Sequence, residues 1–444
     1  MEARFIRRSL VTIAVGLAMG SAGVAHATNG YFAHGYGTKA KGMGGVGMAI
    51  SQDSYAPGIN PAGLAGMETR IDGSLAYFRP ERSYTAGQPQ GQGPFPLAPG
   101  EVESGSKNFF IPSIGYVQQI DETRSWGVTL LGNGGLNTNY PNVNNGPGQP
   151  TGTFGGGSAG VNLEQLAIIP TYAQKFADGR VSVGVSPIIS YSRFEAKGIQ
   201  GFEGFSSDPQ NLSDNGTDSA WGYGGQIGFQ ADVADGVTIG ANYRSKIRNG
   251  DFDDYSGLFA EGGSFDIPST WGAGISVEVT PSVTIAADYQ RINYSDVDAV
   301  SNPFSNLFNS PEAIGMMGGD PSMGDPEARL GGKNGPGFGW RDINVFKIGA
   351  QFEAGNDWTW RVGYNRGQNP VRSDDVLINI LAPAVMEDHF TAGFTKGFGE
   401  NHELSFAAMY APKKSVSGTN PLDGQDIEIE MRQYELEIGY AYRF

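Results

Sequence analysis

The sequence predicts an all-β fold: a transmembrane antiparallel β-barrel of about fourteen strands, with an N-terminal plug inside the lumen. Three observations carry that prediction. Side chains alternate apolar and polar with period two in segment after segment. Tight turns alternate with long Gly/Pro/Asn-rich loops. Beyond residue 27 no run of 18 apolar residues offers a spanning helix.

The chain opens on the basic stretch Met1-Glu2-Ala3-Arg4-Phe5-Ile6-Arg7-Arg8, followed by an apolar run from Leu10 to about Val24 and then Ala25-His26-Ala27. A charged start, a short apolar middle and a small-x-small end predict a secretory signal peptide over 1–27. The formal charge is −16, and removing Glu2, Arg4, Arg7 and Arg8 takes it to about −18. Nucleic-acid binders carry basic patches, so no nucleic-acid partner is expected. The chain has no cysteine, which removes disulfide-stapled folds, Cys metal sites and Cys nucleophiles. Its 68 glycines, 25 phenylalanines and 19 tyrosines suit short two-faced strands better than helices.

Residues 28–69 show no alternation and include the dense run Gly42-Met43-Gly44-Gly45-Val46-Gly47. Tyr31, Phe32, Met43, Val46, Met48, Ile50 and Leu64 make the segment too apolar for a solvated tail. A barrel of this size has a lumen wider than its own side chains fill, and forty-odd residues are well sized to plug it.

Alternation is clearest in the last segment. Tyr434, Leu436, Ile438, Tyr440, Tyr442 and Phe444 share one face; Gln433, Glu435, Glu437, Gly439, Ala441 and Arg443 share the other. The same code recurs at Trp358–Asn365, Val181–Ser192, Val283–Gln290 and Val237–Tyr243. Apolar toward lipid and small or polar toward a lumen is the pattern of outer-membrane barrels, which must close because an open edge in hydrocarbon leaves amides unpaired. Short turns at 121–123, 177–179, 234–236, 280–282, 355–357 and 399–401 alternate with loops at about 85–105, 133–160, 197–218, 250–264, 299–340, 371–384 and 417–427. The strands expected between them run over 70–84, 106–120, 124–138, 161–176, 180–196, 219–232, 236–249, 265–279, 283–298, 341–353, 357–370, 386–397, 401–416 and 430–444. The barrel domain is therefore 70–444.

Three motifs invite other chemistry. Gly42-x-Gly44-x-x-Gly47 matches a dinucleotide fingerprint, but no strand precedes it and no helix pattern follows to hold a pyrophosphate. Gly156-x-Ser158-x-Gly160, with Asp388-His389 downstream, matches a nucleophile elbow, yet Ser158 sits in a glycine loop rather than a strand-turn-helix. Asp251-Phe252-Asp253-Asp254-Tyr255 fails the EF-hand pattern at its fifth and sixth positions. No cofactor is expected.

The stretches Thr28-Asn29-Gly30-Tyr31-Phe32-Ala33-His34-Gly35-Tyr36-Gly37, Lys41-Gly42-Met43-Gly44-Gly45 and Asn60-Pro61-Ala62-Gly63-Leu64 resemble the N-terminal hatch of the FadL/TodX family. Trp126-Gly127-Val128 opening the third strand and a final Phe444 extend the likeness through the chain. The resemblance implies a Gram-negative outer-membrane channel for hydrophobic small molecules, with long-chain fatty acids as the first expectation and alkanes or monoaromatic hydrocarbons as the alternative. An outer-membrane lipase or a general porin is the rival. It implies hatch and gating roles for Thr28, Asn29, Asn60, Pro61, Ala62 and Gly63. It also implies sideways release beside a kinked third strand, for which Gly132, Asn133, Gly134 and Gly135 are the candidates.

For capture, the loop 299–340 is dense in apolar side chains: Phe304, Leu307, Phe308, Ile314, Met316, Met317 and Met323. Arg244, Lys347 and Arg361 fall on the inward parity, where they would meet a carboxylate head-group or pair with Glu278, Asp288, Glu435 or Glu437. Expected partners are the hydrophobic cargo, outer-membrane lipids and lipopolysaccharide, and the barrel-assembly machinery acting on the C-terminal strand.

Overall fold

Alternation builds a wall. The computed structural model describes residues 28–90 and 97–444, so the expected signal peptide lies outside the described residues. Fourteen long strands form the barrel: β1 Arg70–Ala86, β2 Phe109–Gln119, β3 Arg124–Asn137, β4 Gly160–Phe176, β5 Val181–Lys197, β6 Asp218–Ala234, β7 Val237–Arg244, β8 Thr270–Thr280, β9 Val283–Ile292, β10 Ile343–Ala354, β11 Trp358–Gly367, β12 Asp388–Phe398, β13 His402–Thr419 and β14 Asp426–Arg443. Each pairs antiparallel with the next, and β14 returns to β1 from Arg70↔Arg443 to Ala86↔Ile427. Two short pieces, Gly100–Glu103 and Arg248–Asn249, add to β1 and β6.

Exposure is inverted relative to a water-soluble fold. On β14, Leu436, Ile438 and Tyr440 are 48, 52 and 50% exposed, while Glu435 and Glu437 are only 2 and 3% exposed. Trp126, Trp221, Trp271, Trp360 and Phe390 likewise face outward. A surface of large apolar and aromatic groups over a polar interior is stable when hydrocarbon is the solvent. No described helix is long and apolar enough to cross a membrane; the strands do the crossing.

The six tight turns fall at the expected places, and the loops lie at the opposite end. Three expected strands were too long. β7 stops at Arg244 rather than 249, β8 begins at Thr270 rather than 265, and β9 ends at Ile292 rather than 298. Beyond β9 the chain bends through a 3-10 turn at Tyr294–Asp296, which swings the Tyr294 ring inward to donate to Asn29 O at 2.6 Å. The β13–β14 hairpin runs higher than expected, with Ser415–Thr419 paired to Asp426–Glu430.

Residues 28–69 contain no strand. They form a short helix at Thr38–Gly42 and 3-10 turns at Ala56–Gly58 and Pro61–Leu64, nearly all of it buried against the inner wall. The wall makes room with glycines. A Cβ at Gly184 would lie 2.3 Å from Pro61, at Gly228 2.0 Å from Asn60, at Gly240 1.9 Å from Met48 and at Gly363 2.1 Å from Met43. At Gly184, Gly240 and Gly363 the close atoms are plug backbone, and only a residue without a side chain permits backbone this close. From above, the loop segment Val376–Met386 also folds inward and is buried.

Candidate functional site

The plug is held to the wall chiefly by charge. Lys41 Nζ lies 2.7 Å from Glu435 and 2.6 Å from Glu437, and Thr38 Oγ1 donates to Glu437 at 2.6 Å. Lys39 pairs with Glu403 at 2.6 Å, and Arg70 joins Glu403 to Asp72. Across the lumen, Asp288 accepts from the amides of Gly47 and Met48 at 2.7 and 3.0 Å. Such charge-assisted bonds are roughly twice as strong as neutral ones. Within the plug, burial beside the Asp72 carboxylate pushes Asp53 up to about 6 from its ordinary 3.8.

The Asn-Pro-Ala-Gly stretch has a defined mechanical role. Asn60 Oδ1 caps the following 3-10 turn by accepting from Ala62 N, while its Nδ2 donates to Met48 O and to Phe229 O of β6. Pro61 and Ala62 then press onto Gly184, and a Cβ on Gly63 would collide with Ser51. At the other end of the plug, Thr28 donates to Phe32 O. Tyr31 and Phe32 enter an aromatic cluster with Tyr294 and Trp340. Tyr294 and Trp340 carry no sequence mark of this role, because nothing in their own segments reports on residues roughly 260 to 310 positions away.

The wall has one interruption that matters. Between β2 and β3 the ladder holds six pairs, from Gln119↔Ser125 to Ile114↔Leu130, and then stops. Above that point β2 continues to pair with β1 as far as Phe109, and β3 with β4 as far as Asn162, but not with one another. Two sequence features account for the break. Pro112 brings no N–H to the ladder. Gly132 through Gly135, spanning Asn133 and Gly134, carries one extra residue against β4, a bulge between Gly132↔Leu166 and Gly135↔Glu164. An almost wholly apolar pocket of about 460 Å³ lies on the lipid-facing side at the break, lined by Leu75, Pro112, Ile114, Leu130 and Leu166 and extending over β1 to Ile438 and Tyr440 of β14. From inside, the plug meets the same place: Tyr55 donates to Ser113 O at 3.2 Å, Thr129 to Ser54 O at 2.7 Å, and Gly58 lies against Leu131.

The turn end of the lumen is different. There a cavity of about 440 Å³ is polar and ringed by Arg70, Lys175, Arg180, Asp232 and Arg443.

The expected ligand residues divide. Phe304 and Leu307 are buried in the apolar core under the loops, Phe308 and Ile314 are half-buried, and only Met316, Met317 and Met323 are exposed at the outer tip. The seven residues therefore do not form one surface. Arg244, Lys347 and Arg361 do face inward, and each donates to the plug: to Gly58 O at 2.8 Å, Gly45 O at 3.3 Å and Gln52 Oε1 at 2.9 Å. Arg244 and Lys347 share a small cavity with Phe32 and Ile59, whereas Arg361 lies apart beside Thr395. Ser158 is exposed in its loop, and the buried His389 stacks on His34 of the plug with ring centroids 6.2 Å apart.

A closed fourteen-stranded barrel with lipid-facing aromatics, an occluded lumen and an apolar break in its side is an outer-membrane channel for apolar cargo. Residues 24–444 match the family of outer membrane protein transport proteins (OMPP1/FadL/TodX), and the chain belongs to that family. It is an outer-membrane transporter of hydrophobic compounds. Its fold is similar to that of the Pseudomonas putida toluene transporter TodX, at 18% identity and a TM-score of 0.65, covering 94% of this chain and 100% of that one. A Pseudomonas aeruginosa FadL homologue is similar at 15% identity and TM-score 0.64, covering 94% and 100%. The Ralstonia pickettii toluene transporter TbuX is similar at 19% identity and TM-score 0.59, covering 93% and 99%. No curated protein matches the sequence.

Proposed function

We propose that this chain is a passive, hatch-gated channel that takes up hydrophobic small molecules, long-chain fatty acids foremost, and releases them sideways into the membrane. The observation that carries the reading is the β2–β3 break, an apolar pocket in the wall with the plug's Ser54–Gly58 stretch behind it. A greasy cargo released into lipid avoids returning to water, worth about 0.8 kcal/mol per CH₂. The charged cavity at the turn end is a poor exit for such a molecule. Thr28, Asn29 and Asn60–Gly63 serve as the seat of the gate, and Gly132–Gly135 as the upper margin of the opening. Capture falls to the exposed methionines of the outer loop, while Phe304, Leu307, Phe308 and Ile314 line the way beneath it. Arg244 and Lys347 could meet a carboxylate once plug carbonyls leave them; Arg361 is a lesser candidate.

Monoaromatic cargo is the second reading. It draws on the toluene transporters among the similar structures, a likeness that at this identity shows the fold alone. Catalysis at Ser158 has no support, since its nearest expected partner, His389, is buried against the plug.

The test is to close the break. Ser113 and Leu131 are the next residues after the last β2–β3 pair, and the chain has no other cysteine. Ser113→Cys with Leu131→Cys, oxidised, should abolish uptake of both palmitate and toluene by whole cells, and reductant should restore it. Undiminished uptake through a verified cross-link would rule out sideways release. Which cargo the uncross-linked channel carries separates the two readings.

A further inference from the structure

Seven cations are buried among the described residues. Lys39, Lys41 and Arg70 are neutralised by carboxylates, and Arg244, Lys347 and Arg361 donate to the plug. Arg82 does neither. It is 4% exposed on the inner face of β1, near the outer end of the barrel, and no carboxylate pairs with it among the described residues. Its terminal nitrogens donate to the carbonyls of Asn137, at the top of β3, and Ser106, just before β2. Its Nε is buried with no hydrogen-bond partner, and its charge sits 5.7 Å from the Phe109 ring centroid. A buried charge left to neutral carbonyls is costly and calls for an explanation.

We propose that Arg82 is a specificity-determining residue that receives the anionic head of an amphiphile at the outer end of the wall break. This rests on the channel reading above. Beside the guanidinium lies a cavity of about 10 Å³ between Phe78, Leu136, Pro383 and Met431, the size of one water, so a head-group reaches the cation only by taking the place of the Asn137 and Ser106 carbonyls. Below Arg82 the inward column of β1 is Pro80, Phe78 and Ala76, all buried, and then Ser74, which lines the wall pocket. Arg82 lies eight residue steps along the strand from Ser74, roughly 26 Å at about 3.3 Å per residue. A cation, an apolar track and an opening in that order match a carboxylate on a long unbranched chain. A neutral monoaromatic can occupy the pocket but offers the cation no charge to pair with. Because the guanidinium also ties β3 to the loop before β2, an arriving carboxylate competes with Asn137 and Ser106 for it and loosens the top of the break.

The experiment compares palmitate with methyl palmitate, equal in tail and different in charge, by competition binding to the full-length protein in nanodiscs. The wild type should prefer the acid by roughly 10- to 100-fold, the range expected of a charged hydrogen bond. Arg82→Gln should lose that preference with ester affinity unchanged, and Arg82→Lys should keep part of it. Heat-modifiable mobility on gels verifies that each variant is folded. Equal binding of acid and ester by the wild type, or an equal loss of both in Arg82→Gln, would overturn the proposal while leaving the channel intact. Failure of the wild type to bind either lipid would instead remove the fatty-acid reading, and this proposal with it.

Discussion

The two flanks of the plug are built from different interactions. Toward β12–β14 and β9, residues 38–48 are fixed by Lys39, Lys41 and the amides on Asp288, all charged or charge-assisted. Toward β2 and β3 themselves, residues 54–58 make only two neutral hydrogen bonds, from Tyr55 and Thr129, and contacts with Leu131; their charge-assisted bonds, Ser54 N to Asp72 and Arg244 to Gly58 O, run to β1 and β7. The stronger flank lies against unbroken ladder and the weaker one against the break. On the gating reading proposed above, movement of the plug would cost least where the wall already gives way, with the charged flank as the fixed side.

The comparison can be broken outright. Deleting residues 28–69 removes both flanks, and single-channel conductance in planar bilayers should rise sharply; unchanged conductance would mean the plug does not occlude the lumen. A smaller blow falls on the charged flank alone. Lys41→Met leaves Glu435 and Glu437 buried without a cation, which costs about 3–5 kcal/mol. Frequent open bursts and a lower thermal midpoint should follow, whereas the neutral-flank variant Thr129→Val should cost only about 1 kcal/mol and lower the midpoint far less.

Acidity offers the finest probe. Asp53 holds its proton more firmly in the seated plug than in an unfolded chain, because burial raises it to about 6 from 3.8. Its stabilising contribution is complete below about pH 4 and is lost as pH rises through about 6. Asp53→Asn should therefore flatten the change in closed-state occupancy between those values, measured as open probability against pH.

Much of this architecture is legible in the chain because period-two alternation is a local signal. Gln433 to Phe444 states both faces of β14 with no knowledge of its neighbours. Turn positions were equally local. Loop residues were harder: Phe304 and Met317 look alike in sequence, yet one is buried in the core and the other exposed, since their fates depend on what a distant segment covers. The inward parity of Arg244, Lys347 and Arg361 could be read, but not that plug carbonyls would occupy them. The wall break was half legible. Gly132–Gly135 announced a bulge, while the loss of β2–β3 pairing needed Pro112 on the facing strand, and facing strands are known only after folding. Arg82 carried no local mark at all.

The position of Lys41's two partners bears on how the molecule comes together. Glu435 and Glu437 belong to β14, the last strand of the barrel, which seals the cylinder by pairing with β1. Until that seam zips, an ammonium near the beginning of the polypeptide has nothing to neutralise it. Circularisation thus brings the charge partners into place, and a cylinder that sealed without its N-terminal segment would leave two carboxylates facing an open lumen without their cation.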